Sequence, residues 1–175
     1  MRPIVLLGMM GAGKSSVGRA LAVRRGAPFI DLDLRVERLF GTSIAALFEQ
    51  GEPLFRARER MALTSLFAEP GFAGSGAVVA AGGGIVEDPR NLAAIRAIAI
   101  DVYLRVGVET LIERLSSASE RARRPLLGHD TGDLELRLRE LTSRREAAYA
   151  SASVTIDGEG PMATVVEAIN RAAGD

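Results

Sequence analysis

The segment from residue 8 to residue 15 reads GMMGAGKS, and it restricts the possible folds of this chain more than any other stretch. It matches the pattern G-x-x-x-x-G-K-[ST], in which a glycine-rich loop joins a buried strand to a helix. Inward-pointing N–H groups of such a loop, together with the helix N-terminus, attract phosphate. The motif therefore predicts a nucleoside triphosphate site, with Lys14 at the β- and γ-phosphates and Ser15 as a Mg²⁺ ligand. It does not by itself identify the reaction, because many ATPases, GTPases and kinases share it.

Apolar runs alternate with amphipathic stretches along the whole chain. Short strands are predicted at residues 4–7, 28–30, 77–80, 98–104 and 153–156, the first of them buried, with helical stretches between them. Strands that alternate with helices form a parallel sheet with helices on both faces. The sequence therefore predicts an α/β fold of three αβα layers, in one domain that spans residues 1–175. Ligands of such sheets bind at the carboxyl ends of the strands.

The composition excludes several classes of function. Lys plus Arg and Asp plus Glu both number 22, so the net charge is zero and no overall field attracts nucleic acid or an anionic membrane. The chain has no Cys, which excludes disulfides, and its single His makes a zinc site unexpected. The N-terminal apolar run is too short for a membrane span or a signal peptide. We expect a cytoplasmic protein that binds anions through local arginines.

Two carboxylates follow the second predicted strand. Asp31 and Asp33 are two residues apart, so they face the same way if the segment is extended. Beside a triphosphate, one could bind Mg²⁺, directly or through water, and the other could accept a proton from an attacking hydroxyl or orient it. The alternative is that Asp33 caps a helix that starts at Leu34.

Two arginines lie on or beside apolar helix faces. Arg56 and Glu59 are three residues apart and can pair, which would orient the guanidinium toward a carboxylate ligand. The alternative is an ordinary surface ion pair. Arg145 takes the fourth position of an apolar stripe that begins at Leu134, so it either extends outward past the core or faces a wet cleft.

Three consecutive glycines, Gly82, Gly83 and Gly84, follow the third predicted strand. They would let the backbone approach a ligand closely. A tight turn is the alternative, although a turn accounts for one or two glycines better than for three.

The stretch from about residue 116 to residue 130 is polar and lacks clear periodicity, which is typical of a mobile lid. It contains Arg121, Arg123 and Arg124. These side chains could close over the γ-phosphate and stabilise charge during transfer. The alternative is a solvated loop.

In this order the motifs resemble those of the shikimate kinase family, from residue 4 to about residue 169. The resemblance is carried by GMMGAGKS, by DLD at 31–33, by GTSI at 41–44, by GEPLFR at 51–56 with Glu59, by the triple glycine, by RPLL at 124–127, and by Arg145 with Tyr149. It implies a P-loop fold of the nucleoside-monophosphate-kinase type, with five parallel strands in the order 2-3-1-4-5. It also implies transfer of the ATP γ-phosphoryl group to the 3-hydroxyl of shikimate, in the chorismate route to aromatic amino acids.

The resemblance also implies roles for particular residues. Asp33 is expected to bind the shikimate hydroxyls as base or orienting group, Arg56 and Arg145 to clamp the carboxylate, and Asp31 to hold Mg²⁺ through water. The expected catalytic residues are Asp33, Lys14 and Arg124, the expected ATP contacts are Gly11, Ala12, Gly13, Lys14, Ser15, Ser16 and Arg124, and Gly82, Gly83 and Gly84 are expected to contact shikimate. The helical region 32–67 is expected to bind shikimate, and the enzyme is expected to use ATP and Mg²⁺ as a monomer.

The chain departs from the family pattern at two places on the adenine side. Residues 114–124 are longer than usual, which leaves an arginine at the root of the lid unassigned, and the loop 157–161 has no arginine. Two other functions share the P-loop. One is a gluconate-kinase-like enzyme, which would not need two arginines for a carboxylate. The other is a non-catalytic ligand sensor, which would be expected to have lost Lys14 or Asp33.

Overall fold

A computed structural model of the chain describes residues 1–116 and 134–174. Its five strands form one parallel sheet in the order β2-β3-β1-β4-β5, as predicted. The strands are β1 (Ile4–Leu7), β2 (Phe29–Asp31), β3 (Val78–Ala80), β4 (Ile100–Arg105) and β5 (Val154–Asp157). Central β1 pairs with β3 on one side and β4 on the other, with Ile4 opposite both Val78 and Ile100.

Helices cover both faces of the sheet and complete the three predicted layers. They are α1 (Lys14–Arg25), α2 (Leu32–Phe40), α3 (Ile44–Glu49), α4 (Glu52–Phe67), α5 (Pro89–Ile98), α6 (Val108–Leu115), α7 (Leu134–Ala150) and α8 (Met162–Ala172), with short 3-10 turns at Phe72–Gly74 and Ile85–Glu87. None of these described helices is both long and apolar enough to cross a lipid bilayer.

The alternation of side chains along β1 divides the core in two. Ile4 and Leu6 pack with α1 and α8, whereas Val5 and Leu7 pack with residues of α4, α5 and α7. All four side chains are fully buried, because a parallel strand covered on both faces has no solvent side. The carboxyl ends of β1, β2 and β3 therefore meet at one edge, between the two helical layers.

The entry into α2 corrects one interpretation of the sequence. The helix starts at Leu32, directly after β2, and its N-cap is Asp31, whose Oδ1 accepts hydrogen bonds from the N–H groups of Asp33 (3.2 Å) and Leu34 (3.4 Å). Asp33 is thus within the first helical turn and does not cap a helix from Leu34. Its side chain is left available for other contacts.

Other boundaries agree with the sequence pattern, apart from small shifts. Helices α3 and α4 are separated at Gln50 and Gly51, and the backbone of Gly51 has a φ of 117°. Helix α5 runs to Ile98, so β4 starts two residues later than predicted. Apart from Ser116, the predicted lid at 116–130, including Arg121, Arg123 and Arg124, lies outside the described residues.

Candidate active site

The loop between β1 and α1 has the conformation that its glycines predict. Gly11 and Gly13 have φ angles of 81° and 90°, in the left-handed region that side chains with a Cβ disfavour. The ammonium of Lys14 folds over this loop and donates to the carbonyls of Gly8 (2.7 Å) and Met9 (2.9 Å). A cation and the N-terminus of α1 therefore face the same concave surface, which favours an anion there.

This loop opens onto a cavity of about 530 Å³, large enough for a nucleotide. The cavity runs along the carboxyl edge of the sheet from the tips of β2 and β3 to the loop after β5. Its lining comprises Met10 to Val17 of the loop and α1, Asp31, Asp33, residues 80–83, Arg114, Leu115, Gly158, Gly160, Met162 and Val165. The donor and acceptor ends of a phosphoryl transfer thus have room in one continuous space.

Ser15 and Asp31 form a pair that suits Mg²⁺. Ser15 Oγ donates to Asp31 Oδ2 over 2.8 Å, so a hydroxyl and a carboxylate meet at the mouth of the loop. Within residues 1–116 and 134–174, no group of three or more His, Cys, Asp or Glu side chains could hold a metal ion. This sparse set of oxygens fits Mg²⁺, which keeps several waters and takes further ligands from phosphate oxygens.

Asp33 carries a buried oxygen that lacks a partner. Among the described residues, nothing hydrogen-bonds to Asp33 Oδ1. Burial and the neighbouring Asp31 raise the pKa of the Asp33 carboxyl, against the opposing attraction of Lys14 and Arg56. An unpaired carboxylate with a raised pKa, at the wall of this cavity, is suited to accept a hydroxyl proton.

Arg56 is held by two carboxylates. Its Nη1 donates to Glu59 Oε2 (2.9 Å), while Nε and Nη2 donate to Glu52 Oε1 (3.2 and 2.9 Å). Glu59 is fully buried, so the predicted pair is not a surface ion pair, and burial raises the pKa of Glu59 to about 7 in spite of Arg56. Sequence reasoning missed Glu52, although its spacing of four residues from Arg56 is a visible helical signal.

Arg145 follows neither of the two alternatives drawn from periodicity. The side chain is fully buried and is not among the residues that line the cavity. Its Nε donates to Glu87 Oε1 over 2.6 Å, its Nη1 lies 3.8 Å from Met9 Sδ, and its Nη2 has no partner among the described residues. Burial opposes the ionisation of Glu87, but hydrogen bonds from Arg145 and Arg144 outweigh it and lower the Glu87 pKa.

Residues 82–85 form a turn, closed by a hydrogen bond from the Ile85 N–H to the Gly82 carbonyl, but space and not backbone conformation requires the three glycines. None of Gly82, Gly83 and Gly84 has a positive φ. A Cβ on Gly82 would lie 2.9 Å from Asp33 Oδ1 and collide with Glu59 Oε1, and a Cβ on Gly84 would collide with the Arg56 guanidinium. The absence of side chains here therefore lets all three charged groups approach the backbone after β3.

Gly83 lies between the phosphate loop and Arg145. A Cβ there would lie 3.3 Å from Met10 N and 3.6 Å from Arg145 Nη1. Asp33, Arg56 and Arg145, which are far apart in the sequence, therefore converge on three consecutive glycines.

The structure adds two residues that sequence reasoning did not use. Met9 occupies one of the unrestricted x positions of the motif, and its thioether contacts Arg145 Nη1 and Tyr149 Oη. Arg114, in the last turn of α6, donates to the carbonyl of Gly11 over 3.2 Å and lines the cavity. In the sequence, only the position of Arg114 on the helix after β4, just before the predicted lid, could have indicated a site residue.

Known proteins resemble this chain over nearly its whole length. A family model described as shikimate kinase matches residues 10–173. A shikimate kinase of Caulobacter vibrioides (strain NA1000 / CB15N) is 42% identical over 171 residues, which cover 96% of this chain and 80% of the relative. A shikimate kinase of Chlorobium chlorochromatii (strain CaD3) is 36% identical over 176 residues, with coverages of 96% and 88%.

Solved structures show the same relationship. The structure of shikimate kinase from Acinetobacter baumannii in complex with shikimate has a TM-score of 0.86 and 34% identity, and the match covers 97% of this chain and 90% of the other. A gluconokinase from Sinorhizobium meliloti 1021 has a TM-score of 0.62 and 22% identity, with coverages of 98% and 91%, a likeness of fold alone.

Proposed function

The chain belongs to the shikimate kinase family, and from this we propose a role for each residue that the structure brings together around the phosphate loop and the triple glycine. The reaction is transfer of the γ-phosphoryl group of ATP to the 3-hydroxyl of shikimate, which gives shikimate 3-phosphate and ADP. The main support for these roles is that Asp33, Arg56 and Arg145 converge on Gly82–Gly84, next to the phosphate loop.

The donor site binds ATP by its phosphates. The backbone N–H groups of the loop and Lys14 hold the β- and γ-phosphates, and the set of contacts comprises Gly11, Ala12, Gly13, Lys14, Ser15 and Ser16. Ser15 Oγ and a water on Asp31 would hold Mg²⁺, which neutralises charge on the triphosphate. Arg124 lies outside the described residues, and its role as the lid arginine stays a prediction.

The acceptor site comprises Asp33, Arg56, Arg145 and the glycines 82–84. Arg56 and Arg145 each hold one or more carboxylates already, which fixes their guanidinium planes and leaves the Nη2 of Arg145 for the shikimate carboxylate. Asp33 Oδ1 orients the 3-hydroxyl and receives its proton as the hydroxyl oxygen attacks the γ-phosphorus. The bond from that phosphorus to the β,γ-bridging oxygen breaks, and ADP leaves.

The assignment of substrate is tested by coupled ADP release. We expect turnover that depends on shikimate, ATP and Mg²⁺, with none above background on gluconate. Turnover on gluconate alone would overturn the assignment, and shikimate binding without ADP release would favour a sensor.

The role of Asp33 is tested by Asp33→Asn, which is nearly isosteric but cannot take the proton. We expect kcat to fall by about 10²–10⁴-fold, while the Kd for ADP measured by calorimetry stays within about twofold, because Asp33 contacts the acceptor. Wild-type turnover by this variant would remove Asp33 from the mechanism.

We further propose that the enzyme acts as a cytoplasmic monomer. This chain itself contains a residue for each assigned contact with shikimate and with the phosphates of ATP. Consumption of ATP suits the cytoplasm, and the zero net charge suits small-molecule substrates better than nucleic acid or membranes. Size-exclusion chromatography with light scattering at assay concentrations should give the mass of one chain.

A further inference from the structure

Tyr149 is fully buried one turn after Arg145 on α7, and its hydroxyl donates a hydrogen bond to the carbonyl of Gly83. We propose that Tyr149 is a positioning residue, which holds the peptide between Gly83 and Gly84 in the orientation that presents its backbone to the acceptor. The proposal rests on the acceptor site proposed above, and it assigns to Tyr149 a function beyond filling the core.

The hydroxyl is held firmly in place. The ring of Tyr149 stacks on Tyr103 with centroids 4.8 Å apart and an interplanar angle of 8°, so it cannot swing away. Burial raises the pKa of the Tyr149 phenol, which keeps the hydroxyl protonated and able to donate at any working pH. Met9 Sδ lies 3.7 Å from the same oxygen and closes the other side of its pocket.

The hydrogen bond from Tyr149 fixes the whole peptide group between Gly83 and Gly84, not only the carbonyl that accepts it. The peptide is planar and trans, so the Gly84 N–H points away from the Gly83 C=O, and fixing one group fixes the other. A run of glycines lacks the Cβ atoms that restrict the backbone elsewhere, so these peptides rotate easily unless a contact holds them. No described residue accepts a hydrogen bond from the N–H of Gly83 or Gly84, and Gly83 lines the cavity, so its N–H is available to a ligand.

The same helix face therefore supplies two parts of the acceptor site. Arg145 contributes a guanidinium whose Nη1 would lie 3.6 Å from a Cβ on Gly83, and Tyr149 fixes the backbone at that glycine. Arg145 Nη1 and Tyr149 Oη both contact Met9 Sδ, so the two groups have a fixed spacing. A displacement of the Gly83 peptide would misalign the backbone donors with respect to Arg145.

Tyr149→Phe removes the hydroxyl and retains the ring and its stacking. If Tyr149 only fills the core, the variant should lose some stability and leave both Michaelis constants unchanged. Tyr103→Phe is the matched control, because Tyr103 is the stacked partner, is 3% exposed, and has its hydroxyl beside Glu146, not Gly83.

Steady-state kinetics with each substrate varied in turn decides between these cases. We expect Tyr149→Phe to raise the shikimate KM about tenfold, with the ATP KM within about twofold and Tyr103→Phe close to wild type. Equal changes in both constants, or the same change in both variants, would overturn the proposal. Wild-type turnover of shikimate is measured first, so that a failure of the proposed function is recognised separately.

A second measurement needs no variant and covers the case in which Tyr149→Phe does not fold. Hydrogen–deuterium exchange of the wild-type enzyme is followed in the peptide that contains Gly83 and Gly84, with and without shikimate. We expect shikimate to slow exchange at these amides and ADP alone to leave it unchanged. Exchange that shikimate does not slow would contradict the claim that this backbone contacts the acceptor.

Discussion

Arg144 and Arg145 are adjacent residues on α7 that share one carboxylate, yet only Arg145 has a proposed role in substrate binding. Both donate to Glu87 Oε1, over 2.8 and 2.6 Å. The Arg144 side chain is 57% exposed, whereas that of Arg145 is 0% exposed and has Nη2 without a partner among the described residues. Substitutions of Arg144 and Arg145 therefore compare an exposed arginine with the arginine that is proposed to bind the substrate.

Arg145→Lys is expected to raise the shikimate KM by about 10- to 100-fold, because lysine keeps the charge but loses the planar fork that binds a carboxylate through two N–H groups. The ATP KM should change by less than about threefold. Arg144→Lys is the control and should leave both constants near wild type. Equal effects of Arg145→Lys on the two constants, measured by steady-state kinetics, would place Arg145 in the core or at the lid instead.

The pKa of Glu59 predicts that shikimate binding depends on pH. Its pKa is raised to about 7 by burial, so between about pH 8 and pH 6 the carboxylate that orients Arg56 takes up a proton. Protonation removes one charge-assisted hydrogen bond from the guanidinium. We expect the shikimate KM to rise as the pH falls through about 7, with the ATP KM nearly constant over that range.

Two variants separate Glu59 from the other groups that titrate nearby. Glu59→Gln should raise the shikimate KM and remove the inflection near pH 7, whereas an inflection from Asp33 should persist. His129→Gln replaces the single histidine of the chain and should leave the inflection in place. Because folding raises the Glu59 pKa, its contribution to stability is present below about pH 4.5 and lost as the pH rises through 7, a loss that Glu59→Gln should reduce.

Residues whose roles depend on nearby sequence could be predicted, and those that depend on distant contacts could not. Lys14 and Ser15 follow from the spacing of one loop, and the Arg56–Glu59 pair follows from helical periodicity. Glu87 is 58 residues from Arg145, and nothing in either segment indicates that the two meet. Periodicity showed that Arg145 was unusual for an apolar stripe. It could not show that the carboxylate of Glu87 pairs with the buried guanidinium.

At the scale of elements, the strands were predictable because each is short and mainly apolar, and most are followed by glycine or a charged residue. The start of α2 was not, since β2 passes into the helix with no loop between them. Asp31 and Asp33 are both acceptable helix caps by residue type. Only the backbone shows that the helix begins at Leu32. Asp31 therefore caps the helix and accepts a hydrogen bond from Ser15, whereas the side chain of Asp33 takes part in neither contact and is proposed to bind the acceptor.

The turn after β3 gives a prediction at the same scale. In Gly84→Ala the added methyl group would overlap the end of the Arg56 side chain, which can move aside at little cost in folding but then leaves its position. We expect the shikimate KM to rise about tenfold or more, in line with the loss of a charge-assisted hydrogen bond, while Tm changes by only a few degrees.

Gly74→Ala is the matched control for this substitution. Gly74 has no positive φ, and a Cβ there would meet nothing within 4 Å. This variant should keep wild-type kinetics and have an equal or slightly higher Tm. A Gly84→Ala enzyme with wild-type shikimate KM would show that Arg56 does not need its observed position.

Across the whole molecule, unsatisfied polar atoms concentrate where the sheet edge brings distant elements together. Six buried side-chain nitrogen or oxygen atoms of the described residues lack a hydrogen-bond partner, and three of them are Asp33 Oδ1, Glu59 Oε1 and Arg145 Nη2. These come from α2, α4 and α7, which meet only in the folded chain. Unpaired buried groups cost free energy, so the free enzyme is less stable than its packing would allow.

A ligand that pairs these atoms should therefore stabilise the whole fold. At a shikimate concentration of 100 times Kd, binding adds about 2.7 kcal/mol to the free energy of unfolding, which corresponds to a rise in Tm of roughly 5–10 °C for a chain of this size. Calorimetry should show this shift with shikimate and none with gluconate. Arg145→Lys should lose about half of the shift or more at the same shikimate concentration but keep the shift caused by ADP with Mg²⁺, because its defect is confined to the acceptor site. A variant that lost both shifts would instead show that α7 supports the phosphate loop as well, through the contact of Arg145 with Met9.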